Sequence, residues 1–431
     1  MSESYGLFER FGVELEYMIV SREDLRVLPV CDRVLHAASG EDTSDVDLGP
    51  LSWSNELVLH VIEFKTNGPA QTLEDLDASF QEHVQRANEL LVPLGGCLMP
   101  TAMHPWMNPD AETRLWPHEY NAVYEAFDRV FNCRGHGWAN LQSAHLNLPF
   151  ADDDEFGRLH AAIRLVLPIL PALAASSPVA DGQLTGLLDT RLEHYRKNSR
   201  RLPLVAGHII PEPIFTMEGY RKELLGRMYA QMAPHDPQGV LQHEWLNARG
   251  AIARFDRNTF EIRLLDVQEC PAADLAVLAL VVAVLQALVR EEWISYDQQK
   301  AWHVEPLEEV FLEAIRRGEE ARIPFSSYLR VFGNTLPAPC RAGDLWRHLY
   351  DVAMPDAWKA QFNPPLQLVF EQGTLARRLT RAVEQHGGPA CLPALYRDLC
   401  ACLAEGRCFD VRDDRATAHL RAWRPSRAAS L

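Results

Sequence analysis

Positive charge is what this sequence is short of: 42 lysines and arginines stand against 59 aspartates and glutamates, a formal charge of −17. That balance argues against a general polyanion binder, so no nucleic-acid partner is expected, while a local basic pocket for a small anion stays open. Long apolar runs are missing as well. The longest, Leu275 to Val289, covers about 15 residues and contains Gln286, which is too short for a membrane span and suits a buried helix. Paired cysteines are missing too. Cys31, Cys97, Cys133, Cys270, Cys340, Cys391, Cys400, Cys402 and Cys408 form an odd, scattered set, and the last three lack the C-x-x-C spacing of a zinc site. They read as reduced, mostly buried thiols of a cytoplasmic protein. There is no repeat at 20–50 residues and no Walker-type lysine loop. The start is polar and enters a strand at once, unlike a secretory leader.

What is present is an ordinary globular composition, 47% hydrophobic and 23% charged, in a length that suits one large domain or two smaller ones. Strand-like segments are expected near 11–20, 57–66, 94–103, 140–149 and 258–266. Helical periodicity falls at about 73–92, 117–132, 153–176, 218–232, 272–292 and 305–317. Thr72, with Asp75 three residues on, reads as the start of the first of these helices, and Pro168 with Pro171 predicts a kink in the third. Strands scattered among helices with long connections predict an α+β architecture rather than βαβ repeats. The acidic stretch Ser39 to Pro50 reads as a surface loop, with a lid as the alternative. A soft boundary near 292 divides a catalytic part (1–292) from a mainly helical C-terminal extension (293–431) packed on it. The end, Arg421 to Leu431, is expected to fray.

Chemistry concentrates on the strands. In FGVELEY, Glu14 and Glu16 share one face, roughly 6–7 Å apart along the strand, with apolar residues around them. Two carboxylates so placed repel each other and lose hydration, and a bound cation removes both problems. In NELVLHVIEFKT, Glu63 ends an apolar strand, where an acid needs a partner or a metal. Glu56 lies seven residues earlier, an odd offset, so it reaches the same site only if the strand begins after it or is bulged. His145 and Asn147 share a face in QSAHLNL, as do Glu261 and Arg263 in TFEIRLLD. Each pair alone also fits a solvated strand face, a hydrogen-bonded core histidine or a weak surface salt bridge. Together, Glu14, Glu16, Glu56, Glu63, His145 and Glu261 make an oxygen-rich set with one nitrogen and no thiolate, which favours Mg2+ or Mn2+ over zinc. The small-residue segment SSPVADGQLTG leads into Arg191 and allows close approach to an anion.

In the order FGVELEY, ELVLHVIEFKTNGP, AHLNLPF, SSPVADGQLTGLLDTR and FEIRLLD, these segments resemble the glutamate–cysteine ligase family 2, over roughly residues 7–290. The resemblance implies a curved antiparallel sheet of the glutamine synthetase and guanidino kinase type, acids on one face and helices behind. It implies metal ligands at Glu14, Glu16, Glu56, Glu63, His145 and Glu261. It also implies catalytic arginines at Arg263 and Arg191, and nucleotide contacts are expected at Asn147, Arg249 and Arg263. The implied reaction is ATP-dependent amide formation through an acyl phosphate, with ATP, an amino-acid carboxylate and an amine as partners. Glutamate and cysteine are the family's default pair, and a homo-oligomer is left open. Where some relatives carry a serine before the arginine and a tryptophan soon after, this chain has Thr190 and His194-Tyr195, and its histidine strand reads HLN. These departures fall near the amino-acid pocket and leave the amine's identity open. Two other readings remain: a phosphotransferase on the same fold, and a non-catalytic nucleotide-binding protein.

Overall fold

The computed structural model describes residues 5–333 and 337–412; the expected frayed end, Arg421 to Leu431, lies outside the described residues. Strand β1 (Gly12–Ser21) sets the frame. Its alternation sends Val13, Leu15, Tyr17 and Ile19 into the core and turns Glu14 and Glu16 to the other side. Around it form β2 (Asp45–Asp47), β3 (Leu51–Asn55), β4 (Val61–Thr66), β5 (Gly96–Met99) and β6 (Ser143–Pro149). Later come the two-residue pair β7 (Val179–Ala180) and β8 (Gln183–Leu184), then β9 (Ala251–Arg254) and β10 (Thr259–Asp266). Eight of these strands make one sheet in the order β2-β3-β4-β1-β6-β10-β9, with β5 added beside β6 along β1; β7 and β8 pair separately. All the sheet's pairings are antiparallel, so the expected α+β class holds.

One face of the sheet is apolar. Its side chains share a core with the helices Leu76–Leu91, Asp153–Val166 and Pro271–Val289. The last of these has 19 residues and passes for a membrane-crossing helix on length and composition, but it lies 83% buried inside the protein. A helix apolar all round belongs in such a place. Leu307, Phe311, Trp346, Leu349 and Leu366 join the same core, so residues on both sides of position 292 are packed together. The last helices among the described residues do something different. Leu379, Leu395, Tyr396 and Leu399 cover Met18, Val20 and Met99, which continue the acid face of β1 beyond Glu16. The acid face is therefore closed at one end by residues 375–409.

Several expectations need correction. The strand expected at 57–66 is shorter: β4 begins only at Val61, and Glu56 to His60 form the connection from β3. Val58 packs with Val27, Val61, Met107 and Ala139 in a small separate cluster, and an apolar run does not distinguish that from a strand. The acidic stretch 39–50 holds β2, whose Val46 faces in between Asp45 and Asp47. β3 and β9 had no expectation. The helix Cys31–Ser39 had no expectation, and the first expected helix begins at Leu76, not Thr72; the Thr72 hydroxyl donates to Glu74 instead. The prolines act as expected: the helix ends at Val166, and short turns at Leu167–Ile169 and Pro171–Ala174 follow.

Candidate functional site

Antiparallel register stacks the polar residues into rows across the sheet. Glu16 lies opposite Glu63, and Glu63 opposite Ser54; Glu14 lies opposite both Lys65 and His145; Asn147 lies opposite Gly12 and Glu261. Directly paired residues share a face, so acids distant in sequence converge. Glu56 joins them because β4 begins after it, one of the two conditions its odd offset required. The result lines a cavity of about 540 Å³ that includes Glu14, Glu16, Glu56, Glu63, His145, Glu261, Arg191 and Arg263.

Contacts within the cluster are dense. His145 Nδ1 lies 2.9 Å from Glu14 Oε2, and Asn147 Nδ2 donates to Glu14 Oε1 at 3.0 Å. The Ser143 backbone N–H and hydroxyl both donate to Glu16 Oε2, at 2.7 and 3.0 Å. Ser54 Oγ donates to Glu63 Oε1 at 2.7 Å, and Lys65 bridges Ser54, Glu63 and Asp45. Burial, then the charge of Glu14, pushes the Glu63 carboxyl up to about 7 against the pull of Lys65. Burial and the charges of Glu16, Glu63 and Glu14 raise Glu56 well above the usual carboxylate range. Burial pushes His145 down, but the hydrogen bond to Glu14 and the charges of Glu16, Glu14 and Glu261 outweigh it, to about 9. Burial likewise opposes ionisation of Glu14, yet His145, Arg257 and Lys65 hold it below its ordinary value.

Glu56 meets no cation at ion-pair distance among the described residues, and Glu16, Glu63 and Glu14 crowd it with like charge, an arrangement that fits a divalent ion. Two groups place their donor atoms within 4.8 Å of one another: Glu14, Glu63 and His145, and Glu16, Glu56 and Glu63. Both use Glu63, so the donors suit two ions sharing one carboxylate. Glu261 belongs to neither group. It is held by Arg263 and by Arg254, whose Nη1 donates to it at 2.9 Å. Burial raises its pKa, but the charge of Arg263, and those of His145 and Arg254, bring it below the ordinary value.

The arginines divide. Arg263 sits in a bulge where β10 advances three residues, Ile262 to Leu265, against two on β6. Its backbone N–H donates to Gly250 O, and its guanidinium faces the cavity. Arg191 lines the cavity from the start of the helix Thr190–Tyr195 that follows the small-residue segment, with Nε donating to buried Asp266. Arg249 is a correction. Its guanidinium is spent on Glu212, Asn247 and the carbonyl of Leu204, and it is no part of the cavity lining, so the structure gives it a packing role rather than a nucleotide contact. Asn147 holds Glu14 and lines a neighbouring cavity of about 590 Å³, which shares Glu14, Lys65 and Arg257 with the first. The sequence reading passed over Lys65, Ser143, Arg254, Arg257, Tyr124, Trp138 and Trp245. Lys65 and Ser143 carried a signal, since each stands two residues from a chosen acid or imidazole on a strand; the aromatics carried none.

Against known proteins, the family model for glutamate–cysteine ligase family 2 matches residues 10–392, which runs past position 292. An uncharacterized protein of Archaeoglobus fulgidus is 36% identical over 281 residues, 65% of this chain and 75% of that protein. The crystal structure of the glutamate–cysteine ligase of Francisella tularensis in complex with AMP superposes with a TM-score of 0.62. It shares 12% identity with this chain, and the match covers 97% of this chain and 93% of that one. At that identity the likeness shows the fold, which is the glutamine synthetase-like fold expected from the segment order.

Proposed function

The chain belongs to the glutamate–cysteine ligase family 2, and from that premise we propose that it is an ATP-dependent carboxylate–amine ligase working through an acyl phosphate. One observation supports this above others: two carboxylate-rich donor groups meet at Glu63, with Arg263 beside them, in one cavity. Magnesium or manganese held by Glu14, Glu63 and His145 and by Glu16, Glu56 and Glu63 would neutralise triphosphate charge. The remaining work falls to the chain's own groups. A substrate carboxylate attacks the γ-phosphoryl group, and ADP leaves. Arg263, freed from Glu261 in part by the incoming anion, places a two-pronged donor on the phosphoryl oxygens as charge shifts onto them. Arg191, held rigid by Asp266, adds a fixed positive charge. The amine then attacks the acyl carbon, phosphate leaves, and the amide remains once the nitrogen has lost its proton. Holding three reactants across two adjoining cavities that share Glu14, Lys65 and Arg257 removes much of the entropic barrier. Within the same proposal the setting is cytoplasmic, which the nine free thiols suit.

A coupled assay tests the reading: ADP release measured with amino acids and amines, singly and in pairs, and the product identified by mass. ADP release that needs both an acid and an amine, with an amide formed, is the expected result. A stable phosphorylated product with no amine present selects a phosphotransferase, and no turnover under any pairing removes the enzymatic reading.

A further inference from the structure

The cavity is chemically lopsided. Its acids and cations come chiefly from the sheet, but another stretch of its lining is ring and hydrocarbon: Tyr124, Phe127, Trp138, Tyr195, Trp245 and Leu57. Tyr124 and Phe127 stand on one face of the helix Asn121–Phe131, three residues apart. Phe127 lies 5.3 Å from the Trp138 ring and 5.6 Å from the Trp245 ring, centroid to centroid, so these rings form one layer. Two of their polar handles are taken. The Tyr124 hydroxyl accepts from Asn55 Nδ2 at 3.0 Å, and Trp138 Nε1 donates to Asn198 O at 3.3 Å. What the cavity meets is therefore ring surface, and Tyr124, Phe127, Trp138 and Trp245 are each only half-buried. A patch of that kind inside a cleft is a ligand surface.

Among the described residues that line the cavity, no lysine, arginine or histidine stacks on this layer; the exposed His243 lies against Trp245 from outside the lining, rings 5.4 Å apart. The cations lining the cavity, Lys65, His145, Arg191, Arg254, Arg257 and Arg263, each face a carboxylate partner. A carboxylate on the amine substrate would find no counter-charge against the rings, and a side chain as short as that of cysteine would leave most of them against water. We propose that the amine accepted here is a primary amine with a large apolar or aryl body and no carboxylate of its own, its body against the Phe127–Trp138–Trp245 layer and its nitrogen toward Glu56. This rests on the ligase reading and names that reaction's second substrate class. The nucleotide is left to the neighbouring cavity, whose lining includes Gly12, Thr66, Asn67, Gly68 and Asn147 and whose shared wall brings phosphates to Glu14 and Lys65.

Hydroxylamine separates the two claims. As a small nucleophile it traps an activated acyl group as a hydroxamate whatever the natural amine is. The full chain with Mg-ATP and a panel of amino-acid carboxylates is expected to give hydroxamate. With the best carboxylate, phenethylamine and hexylamine are expected to exceed ethylamine, glycine and cysteine in kcat/KM by about 100-fold, since each buried methylene is worth roughly 3- to 4-fold and hexylamine carries four more than ethylamine. Hydroxamate formation together with a preference for cysteine or glycine overturns the inference and leaves the ligase standing. Absence of hydroxamate with every carboxylate overturns both. Trp138→Leu is expected to raise KM for the apolar amine at least tenfold. If only KM for ATP rises, the rings hold the base and the assignment is wrong; if the variant does not fold, the wild-type amine panel decides.

Discussion

Glu63 is the residue on which both donor groups depend, and its raised pKa has a definite sign. An acid titrating near 7 in the folded state and about 4.5 unfolded makes the folded state the tighter proton binder between those values. Metal-free stability should therefore fall as pH rises from about 4.5 to 7. Glu56, raised for the same reason, works in the same direction, and His145, raised to about 9, extends the loss above its unfolded pKa. Calorimetry in EDTA should show the melting temperature dropping from pH 5 to pH 7.5. Magnesium should restore it more strongly at pH 8 than at pH 6, because binding displaces protons from the donors. Glu63→Gln should melt higher than wild type at pH 8 in EDTA, lose the magnesium-dependent shift and release no ADP. For Arg263→Lys, which keeps the charge but loses the planar fork, a loss of roughly 10²–10³ in kcat is expected from steady-state kinetics; near-normal turnover would take the phosphate role away from it.

Elements converge on the site because three strand edges meet within a few residues of β1. The approach of β6 is close: a methyl at Gly12 would lie 2.8 Å from Asn147 Cβ. Gly12→Ala should therefore separate β1 from β6 locally, loosen the Asn147 and His145 contacts with Glu14, and cost about 1–3 kcal/mol in urea unfolding. These placements were partly legible. Period-2 alternation was enough to pair Glu14 with Glu16, His145 with Asn147 and Glu261 with Arg263. The break between β3 and β4 was not legible, because Leu57-Val58-Leu59 is as apolar as a strand and only its packing on Met107 and Ala139 makes it a turn. Nor was the use of Arg249, since an arginine's partner, here Glu212, lies 37 residues away and leaves no local mark.

The molecule closes through its C-terminal helices, and one buried ion pair locks them. Arg378 Nη1 donates to Glu269 Oε1 at 2.6 Å and to the carbonyl of Phe409, while Phe409 N–H donates to the same carboxylate at 3.1 Å. Both charged side chains are essentially inaccessible. Arg378→Met would leave Glu269 charged and unpaired, so a loss of about 3–5 kcal/mol in urea unfolding is expected. Glu269→Gln added to that variant should recover part of it, because the uncompensated charge is then gone.

Local alternation and composition were sufficient to declare the α+β class, the acid-bearing strand faces, the proline-broken helix and the buried apolar helix, because each depends on residues a few positions apart. Which acids share an ion, which arginines are free to meet a phosphate, and what covers the far side of the cavity depend on strand register and on contacts between residues 30 to more than 100 positions apart. Such contacts are made in three dimensions by packing, and no short stretch of chain encodes them.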